Sequence, residues 1–311
     1  MTSPEPTDSR LLENCRKGDS SSFGILIERY QDKIFNTALC MIGNAEDASD
    51  ITQEVFIKAW RGISRFRGES SLITWLTKIT YNAVISHRRK GVLETESLWI
   101  ENDEQRSEKV VANPGEDPAK KRLKKEAQQR VWSAIANLPE EARRLVVLRD
   151  IEGFEYEEIA EITGIPLGTV KSRLHRARMQ LKEALGPYMA ENNGGKKRFM
   201  SKECEKIRDS FSDLLDGLLG ESDKESVMNH IQSCPDCMKE WSSFSSSIMQ
   251  IRNLPRAKAP SGIKDSVLSQ LNEGESAIGS KRILRLFPLS VAAVLLLSIG
   301  VGIYILVLLN T

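Results

Sequence analysis

Apolar residues recur at intervals of three and four positions through several separate stretches of the chain, which is the spacing of amphipathic helices. The most regular stretch runs from Phe154 to Lys182. Gly164 and Pro166 interrupt it and predict a tight turn between two short helices. The second of these helices has an apolar stripe made of Val170, Leu174, Ala177 and Leu181. The pattern predicts an all-α protein.

The opposite side of this second helix is polar and basic. It carries Ser172, His175 and Arg176 with Met179, flanked by Lys171, Arg173 and Arg178. A helix that is apolar on one face, basic on the other and entered through a short turn suits the DNA major groove. Arginine binds guanine through two hydrogen bonds, and further cations neutralise phosphates. An ordinary surface helix with a solvated basic face has the same spacing, so it stays open as the alternative reading.

A family resemblance appears in the run LPEEARRLVVLRDIEGFEYEEIAEITGIPLGTVKSRLHRARMQL. It resembles the promoter-reading domain of extracytoplasmic-function (ECF) sigma factors, and GTVKSRLHRAR is near the family's usual wording. The resemblance implies a helix-turn-helix domain over residues 125–187 that binds the −35-type promoter element. Its DNA-binding residues would be Lys171, Ser172, Arg173, His175, Arg176 and Arg178.

A second motif lies in an N-terminal helical domain, residues 9–90. Asp50, Gln53 and Glu54 share one helix face, while Ile51 and its apolar neighbours occupy a buried one. A polar patch of this kind is usually solvated surface. However, the run DASDITQEVFIKAW resembles the sigma helix that docks on the RNA polymerase clamp. The resemblance implies that these three polar residues contact core RNA polymerase.

The next motif, F-R-G-E-S-S-L-x-T-W-L, begins at Phe66 and also resembles the family. Trp75 with the polar side chains that follow it could suit unpaired DNA, whose bases stack and whose backbone is anionic. Trp75 could instead be half-buried in a helix bundle. By resemblance, Arg67–Ser71 would form a pocket for a flipped base of the −10-type element. The residues that contact the unpaired DNA strand would be Lys78, Asn82, Arg88 and Arg89.

Two stretches separate the helical regions. Residues 91–124 are charged, contain Pro114 and Pro118, and predict a linker. Residues 188–199 predict a second linker. Residues 200–275 then begin a new helical pattern, as if a separate protein had been joined to the first.

This third region contains a metal-ligand pattern. A Cys-x2-Cys pair, Cys234 and Cys237, follows His230 by one helical turn, and such residues can converge on a tetrahedral ion. Cys204 is the remaining Cys or His of the region and supplies a fourth ligand. The four match the ligand pattern of zinc-containing anti-sigma domains, which implies Zn²⁺. Incidental clustering is the alternative. A zinc site of this kind could be structural or thiol-reactive.

Charge and cysteine content narrow the function. The net charge of +1 gives no global nucleic-acid signal, so DNA binding must come from local patches. Five cysteines without a secretory leader predict a reduced, cytosolic environment. No catalytic constellation is visible, and the chain is predicted not to be an enzyme.

An uncharged apolar run, Leu286–Leu309, is long enough at about 1.5 Å per residue to cross a bilayer core of about 30 Å. Lys281, Arg282 and Arg285 precede it, which places the N-terminal side in the cytoplasm. The sequence therefore predicts a single-pass transmembrane helix at the bacterial inner membrane.

Together the patterns predict a membrane-tethered fusion of a sigma factor with its own zinc-type anti-sigma domain, held inactive by an intramolecular contact. The inhibitory domain should cover either Asp50–Glu54 or the helix Val170–Lys182. Two other readings remain: an active sigma factor with a tail that only anchors it, and a membrane-bound regulator that binds duplex DNA without polymerase.

Overall fold

The computed structural model describes residues 6–91, 118–186 and 201–273, and regular structure in these ranges is entirely helical. The prediction of a helical protein is confirmed for this part of the chain. The helices up to residue 252 are α1 (Asp8–Arg16), α2 (Ser20–Ile42), α3 (Ala45–Gly62), α4 (Leu72–Gly91), α5 (Pro118–Ala136), α6 (Glu140–Val146), α7 (Tyr156–Thr163), α8 (Leu167–Leu185), α9 (Lys202–Asp209), α10 (Phe211–Leu215), α11 (Glu221–Ser233) and α12 (Pro235–Arg252).

The first domain, residues 6–91, is a bundle of α1 to α4. Two of its helices have N-cap side chains: Asp19 accepts a hydrogen bond from the Ser21 amide, and Asn44 accepts one from the Glu46 amide. Gly43 ends α2 with a φ of 92°, a conformation that glycine adopts without strain. The predicted buried face of α3 is confirmed, with the fully buried residues Ile51, Val55 and Ala59.

The second domain, residues 118–186, contains the predicted turn between two helices. Gly164 ends α7 in the left-handed region at φ 72°, and Pro166 precedes α8. The predicted apolar stripe of α8 is fully buried. Helix α5 begins at Pro118, earlier than the expected domain start at residue 125. A π-helical turn, Val147–Ile151, follows α6.

The third domain, residues 201–263, packs its α12 against α8 of the second domain. An aromatic cluster forms part of its core, with the Phe211 ring 5.3 Å from Trp241 and 5.6 Å from Phe244 between centroids. The first domain also contacts the second, mainly through α4 and α7. All three domains fall within one compact unit that ends at Ile263.

Residue 264 begins a separate unit, which is helical as far as residue 273. The predicted transmembrane helix, residues 286–309, lies outside the described residues. Within the described ranges, none of the helices has the length and apolar character needed to cross a bilayer.

Candidate functional site

Three thiols and one imidazole converge in the third domain. The ligand atoms of Cys204, His230, Cys234 and Cys237 all lie within 4.8 Å of one another. Nε2 of His230 is 3.6 Å from the Cys204 sulfur, and the sulfur atoms of Cys204 and Cys234 are 4.0 Å apart. Soft sulfur ligands with one imidazole suit a tetrahedral metal ion. The residues predicted as ligands therefore lie in a geometry compatible with metal binding.

Helix ends position these ligands. Cys204 lies in the first turn of α9, where its amide donates to the Ser201 side chain, and His230 lies in the last turn of α11. Cys234 joins α11 to α12, and Cys237 is buried in the first turn of α12. A hydrogen bond from the Ser201 hydroxyl to the Cys204 sulfur lowers the pKa of that thiol to about 7. This favours the thiolate form, which is the form that binds metals.

The predicted DNA-reading face of α8 is divided in two by the third domain. Ser172 and Arg176 are exposed to solvent. Lys171 and Arg173 are partly exposed, and Arg173 donates to Glu141. The remaining part of the face lies against the third domain. There, Nε2 of His175 is 3.9 Å from Asp209, and Lys182 pairs with Glu240.

Arg178 does not lie on the exposed basic face, so its predicted position there is wrong. Its side chain has no exposed surface. Nε and Nη2 donate to the two oxygens of Asp150 at 2.9 and 2.6 Å, and Nη1 donates to Asp216 at 2.7 Å. Both carboxylates neutralise the guanidinium, so Arg178 cannot contact DNA in this arrangement.

Asp216 belongs to the third domain but is bound inside the second. Its carboxylate accepts hydrogen bonds from the Tyr156 hydroxyl at 2.6 Å and from Arg178, and Nη2 of Arg149 lies 3.6 Å away. Burial alone would raise the pKa of Asp216, but the hydrogen bond and charge of Arg178 outweigh it and hold that pKa at about 2. Arg252 completes the cluster with bonds of 2.6 Å to Asp216 and 3.1 Å to Asp150.

The third domain also reaches the first domain through an extended segment, residues 254–260, which we call the strap. The Arg256 guanidinium donates to the Ile151 carbonyl at 2.9 Å. The Ala257 amide donates to Asn36 at 3.1 Å, and the Ala259 amide donates to Asp32 at 2.9 Å. The strap therefore bonds to the second domain and then to helix α2 of the first.

The two sigma-like domains also bond to each other near the expected −10-type DNA surface. The Thr74 hydroxyl, within hydrogen-bond distance of Ser71, donates to Glu158 of α7 at 2.8 Å. Arg88 donates to Glu140 of α6. Among the other predicted strand-binding residues, Asn82 and Arg89 are exposed and Lys78 is partly exposed.

The predicted polymerase-binding residues remain on the surface of α3. Asp50 and Glu54 are exposed, and Glu54 pairs with Lys58 at 2.6 Å. Gln53 is partly exposed. The three strap hydrogen bonds described above go to Ile151, Asn36 and Asp32.

Sequence reasoning did not identify Asp150, Asp216 or Arg252. Asp150 and Arg178 are 28 positions apart, and Asp216 and Arg178 are 38 apart, so local periodicity carries no sign of their contact. The sequence does show that Asp216 directly follows the apolar residues Leu214 and Leu215, which places a carboxylate next to an apolar stretch.

Comparisons with known proteins agree with this three-part organisation. The Sigma-70 region 2 model matches residues 26–92, the Sigma-70 region 4 model matches residues 128–181, and a zinc-finger model matches residues 204–238. The RNA polymerase sigma-H factor of Pseudomonas aeruginosa is 35% identical over 192 residues, covering 59% of this chain and 96% of that protein.

A second relative, the ECF RNA polymerase sigma-E factor of Escherichia coli K12, is 36% identical over 191 residues. The match covers 60% of this chain and 97% of the relative. Among solved structures, the sigma factor RpoE in complex with the anti-sigma factor NepR from Bartonella quintana has a TM-score of 0.40. It is 26% identical, and the match covers 53% of this chain and 96% of that one. This structural similarity is too low to support a functional assignment. The two sequence relatives are matched over nearly their whole length, and the chain therefore belongs to the extracytoplasmic-function family of RNA polymerase sigma factors.

Proposed function

We propose that this sigma factor directs core RNA polymerase to promoters and that its own third domain holds it inactive. The observation that carries the proposal is the position of Asp216. A carboxylate of the third domain is fully buried among Arg178, Tyr156 and Arg149 of the second domain, which is the proposed promoter-reading domain. A buried, charge-assisted contact of this kind indicates a specific interface between the domains.

The contacts would block promoter recognition in two ways. The third domain covers the side of α8 that carries His175 and Lys182, so the helix could not enter a major groove without displacing it. In addition, Glu158 bonds to Thr74, beside the residues proposed to receive a flipped base. An initiating sigma factor must reach two separated promoter elements, which requires these domains to part.

The inhibition would act in cis because both partners belong to one chain. Joining two binding partners in one chain can raise their effective concentration to the order of millimolar. Even a modest intrinsic affinity would therefore keep most molecules closed. Of the two surfaces expected to be covered, α8 is the one that the third domain contacts, whereas Asp50 and Glu54 stay exposed. Inhibition by this route would act mainly on promoter binding.

We further propose that Cys204, His230, Cys234 and Cys237 bind one Zn²⁺. The donor set supports this because three thiolates and one imidazole match structural zinc sites with no open coordination position. The cluster joins α9, α11 and α12, so a bound ion would hold the helices that carry the interface in one arrangement. In such small domains, metal binding supplies a large part of the folding free energy.

Residues 286–309 are proposed to anchor the protein at the cytoplasmic face of the bacterial inner membrane. The support is the uncharged apolar run and the basic residues before it. Release would then require a signal that weakens the domain contact by several kcal/mol. Candidate signals are proteolysis, oxidation of the zinc thiolates and a membrane partner.

Run-off transcription with core polymerase tests the proposal. We expect residues 1–190 to be much more active than the detergent-solubilised full chain. Equal activities would favour an active sigma factor whose C-terminal half is only an anchor. A core-polymerase pull-down separates the remaining alternative, because a plain duplex-binding regulator would not bind polymerase through Asp50, Gln53 and Glu54.

A further inference from the structure

Asn36 lies at a point where all three domains meet. Its side chain belongs to helix α2 of the first domain and is only 2% exposed. Nδ2 of Asn36 donates to Oε1 of Glu152, in the second domain, at 2.6 Å. Oδ1 of Asn36 accepts a hydrogen bond from the Ala257 amide of the strap at 3.1 Å. One buried side-chain amide of the first domain therefore bonds to both of the other domains.

The strap determines which way the Asn36 amide points. A backbone N–H can only donate a hydrogen bond, so the Ala257 amide must face the oxygen of Asn36. The NH2 group is then directed at Glu152, whose carboxylate needs donors. The opposite orientation would place two oxygens against each other at Glu152 and two donors against each other at the strap. The strap therefore fixes the orientation in which Asn36 can bind the second domain.

Glu152 makes this contact sensitive to the loss of any partner. It is 4% exposed, and a buried carboxylate is costly unless donors and cations replace its lost hydration. The groups that offset this cost come from the other two domains, because the Asn36 amide, Arg256 of the strap and Lys33 of α2 all favour the charged form. Arg256 is held in place by its bond to the Ile151 carbonyl at 2.9 Å. Departure of the strap would therefore take away one cation and the orienting partner of Asn36 together.

The other bonds between the first two domains are less dependent on their surroundings. Glu158 accepts from Thr74 but is partly exposed, and Glu140 accepts from Arg88 but is exposed. Water can replace the partners of such groups, so exposed pairs contribute little to the stability of a contact. The buried bond between Asn36 and Glu152 is the one whose strength the strap controls.

We propose that Asn36 is a positioning residue that couples the strap to the contact between the two sigma-like domains, so that these domains part when the strap leaves. The inference rests on the proposed autoinhibition and adds the order of events. Release of the third domain would not leave a closed pair of sigma-like domains behind it. By linkage, separating the two sigma-like domains must loosen the strap by the same factor as loss of the strap weakens their contact.

The test measures the separation of the two sigma-like domains in the full-length chain in detergent. Fluorescent unnatural amino acids in place of Glu46 of α3 and Glu161 of α7, both exposed, report it by energy transfer. Ala257→Pro removes the strap N–H that bonds to Asn36. We expect the ratio of separated to closed molecules to rise about three- to tenfold, the effect of one hydrogen bond. An unchanged ratio would overturn the proposal.

Ala259→Pro is the matched control, because it makes the same change two positions further along the strap. It removes the N–H that bonds to Asp32 at 2.9 Å, and Asp32 is an exposed residue of α2. We expect this variant to leave the ratio of separated to closed molecules unchanged. An equal rise in both variants would show that the strap acts only by adhering to α2, and Asn36 would lose its proposed role.

A double substitution tests whether the effect passes through Glu152. Glu152→Gln keeps the size of the side chain and removes its charge, so its bond with Asn36 becomes a neutral one of about half the strength. In this background the rise caused by Ala257→Pro should shrink to about its square root, as halving an interaction free energy implies. The full rise in the double variant would mean that the strap acts by another route and would overturn the assignment.

Failure of the proposed autoinhibition is recognised separately, as equal run-off transcription from the full chain and residues 1–190. The energy-transfer measurements require neither polymerase nor DNA. They therefore test the coupling through Asn36 whether or not the third domain inhibits transcription.

Discussion

Arg178 and Asp150 form a two-point ion pair in which neither side chain has exposed surface. The third domain adds a second ion pair to it, because Arg252 and Asp216 bond to each other and to the first pair. Desolvating charges costs free energy, which complementary partners must offset. Removing one partner from such an interface leaves a buried charge unpaired. Single substitutions should therefore weaken the closed state, in which the third domain packs on α8.

Arg252→Gln should weaken the closed state, because the substitution leaves two buried carboxylates with one cation fewer. We expect a loss of about 2 kcal/mol in closure free energy, the scale of a hydrogen bond to a charged group. Run-off transcription from the full chain should rise accordingly. Lys239→Gln on the exposed side of α12 is the matched control and should not activate. Similar activities of the two variants would show that Arg252 does not stabilise the interface.

Closure should also weaken as pH falls through the titration range of His175. Burial lowers the pKa of His175 below 6.5, more than the carboxylates Asp209 and Asp213 raise it. A group whose pKa is lower in the closed state stabilises that state fully above its ordinary pKa and loses this contribution as pH falls. Duplex DNA binding by the full chain, measured between about pH 7.5 and 5.5, should therefore increase towards acid.

His175→Gln is the control for this pH dependence, because its amide does not titrate. The increase towards acid should become smaller in this variant. Zinc content must be measured at each pH, because protonation of the cysteine ligands also releases metal. The same acid response in wild type and variant, with zinc retained in both, would contradict a role for His175.

Cys234 is one of the four proposed zinc ligands. The purified full chain should carry one zinc ion, and Cys234→Ser should lose it by elemental analysis and unfold the third domain at a lower temperature. Cys40→Ala is the control, because Cys40 is buried in the first domain, far from the cluster in sequence. Zinc missing from the reduced wild-type chain would falsify the assignment.

Glu203 provides a finer test of the same site. Its carboxylate lies 3.6 Å from Nδ1 of His230, the nitrogen opposite the one that faces Cys204. A carboxylate at that nitrogen orients a histidine ligand, so Glu203→Gln should lower zinc affinity by about tenfold in a chelator competition. Glu205→Gln, exposed on the same helix, should have no effect. Equal affinities would show that Glu203 does not support the metal site.

Features set by neighbouring residues can be predicted from the sequence of this chain. The apolar stripe of α8 and the turn at Gly164 follow from short-range spacing, and the structure has both. The convergence of Cys204 and His230 could be predicted over 26 positions because few other Cys or His residues compete for the role.

Arg178 shows why the remainder of the site could not be predicted. It lies beside the apolar stripe of α8, and the spacing of residues gives no information on whether such an arginine faces water or a distant carboxylate. Its partners come from the π-helical turn at Asp150 and from another domain at Asp216. Asp150 pairs with Arg178 inside the second domain, and the packing of the third domain on α8 adds the second carboxylate.

Ser172 and Arg176 form the exposed part of the predicted DNA-reading face of α8. Ser172 and Arg176 remain open to solvent while the third domain is in place, so their substitution should leave closure intact. Arg176→Ala should cost about 1–3 kcal/mol in promoter binding by residues 1–190 and relax specificity at one position of the upstream element. Footprinting on a set of promoter variants measures this directly. Arg10→Ala, which changes an exposed arginine of α1, controls for the general loss of a positive charge. If Arg176→Ala weakened binding equally on all sequences, Arg176 would contact phosphate and another residue of α8 would read the bases.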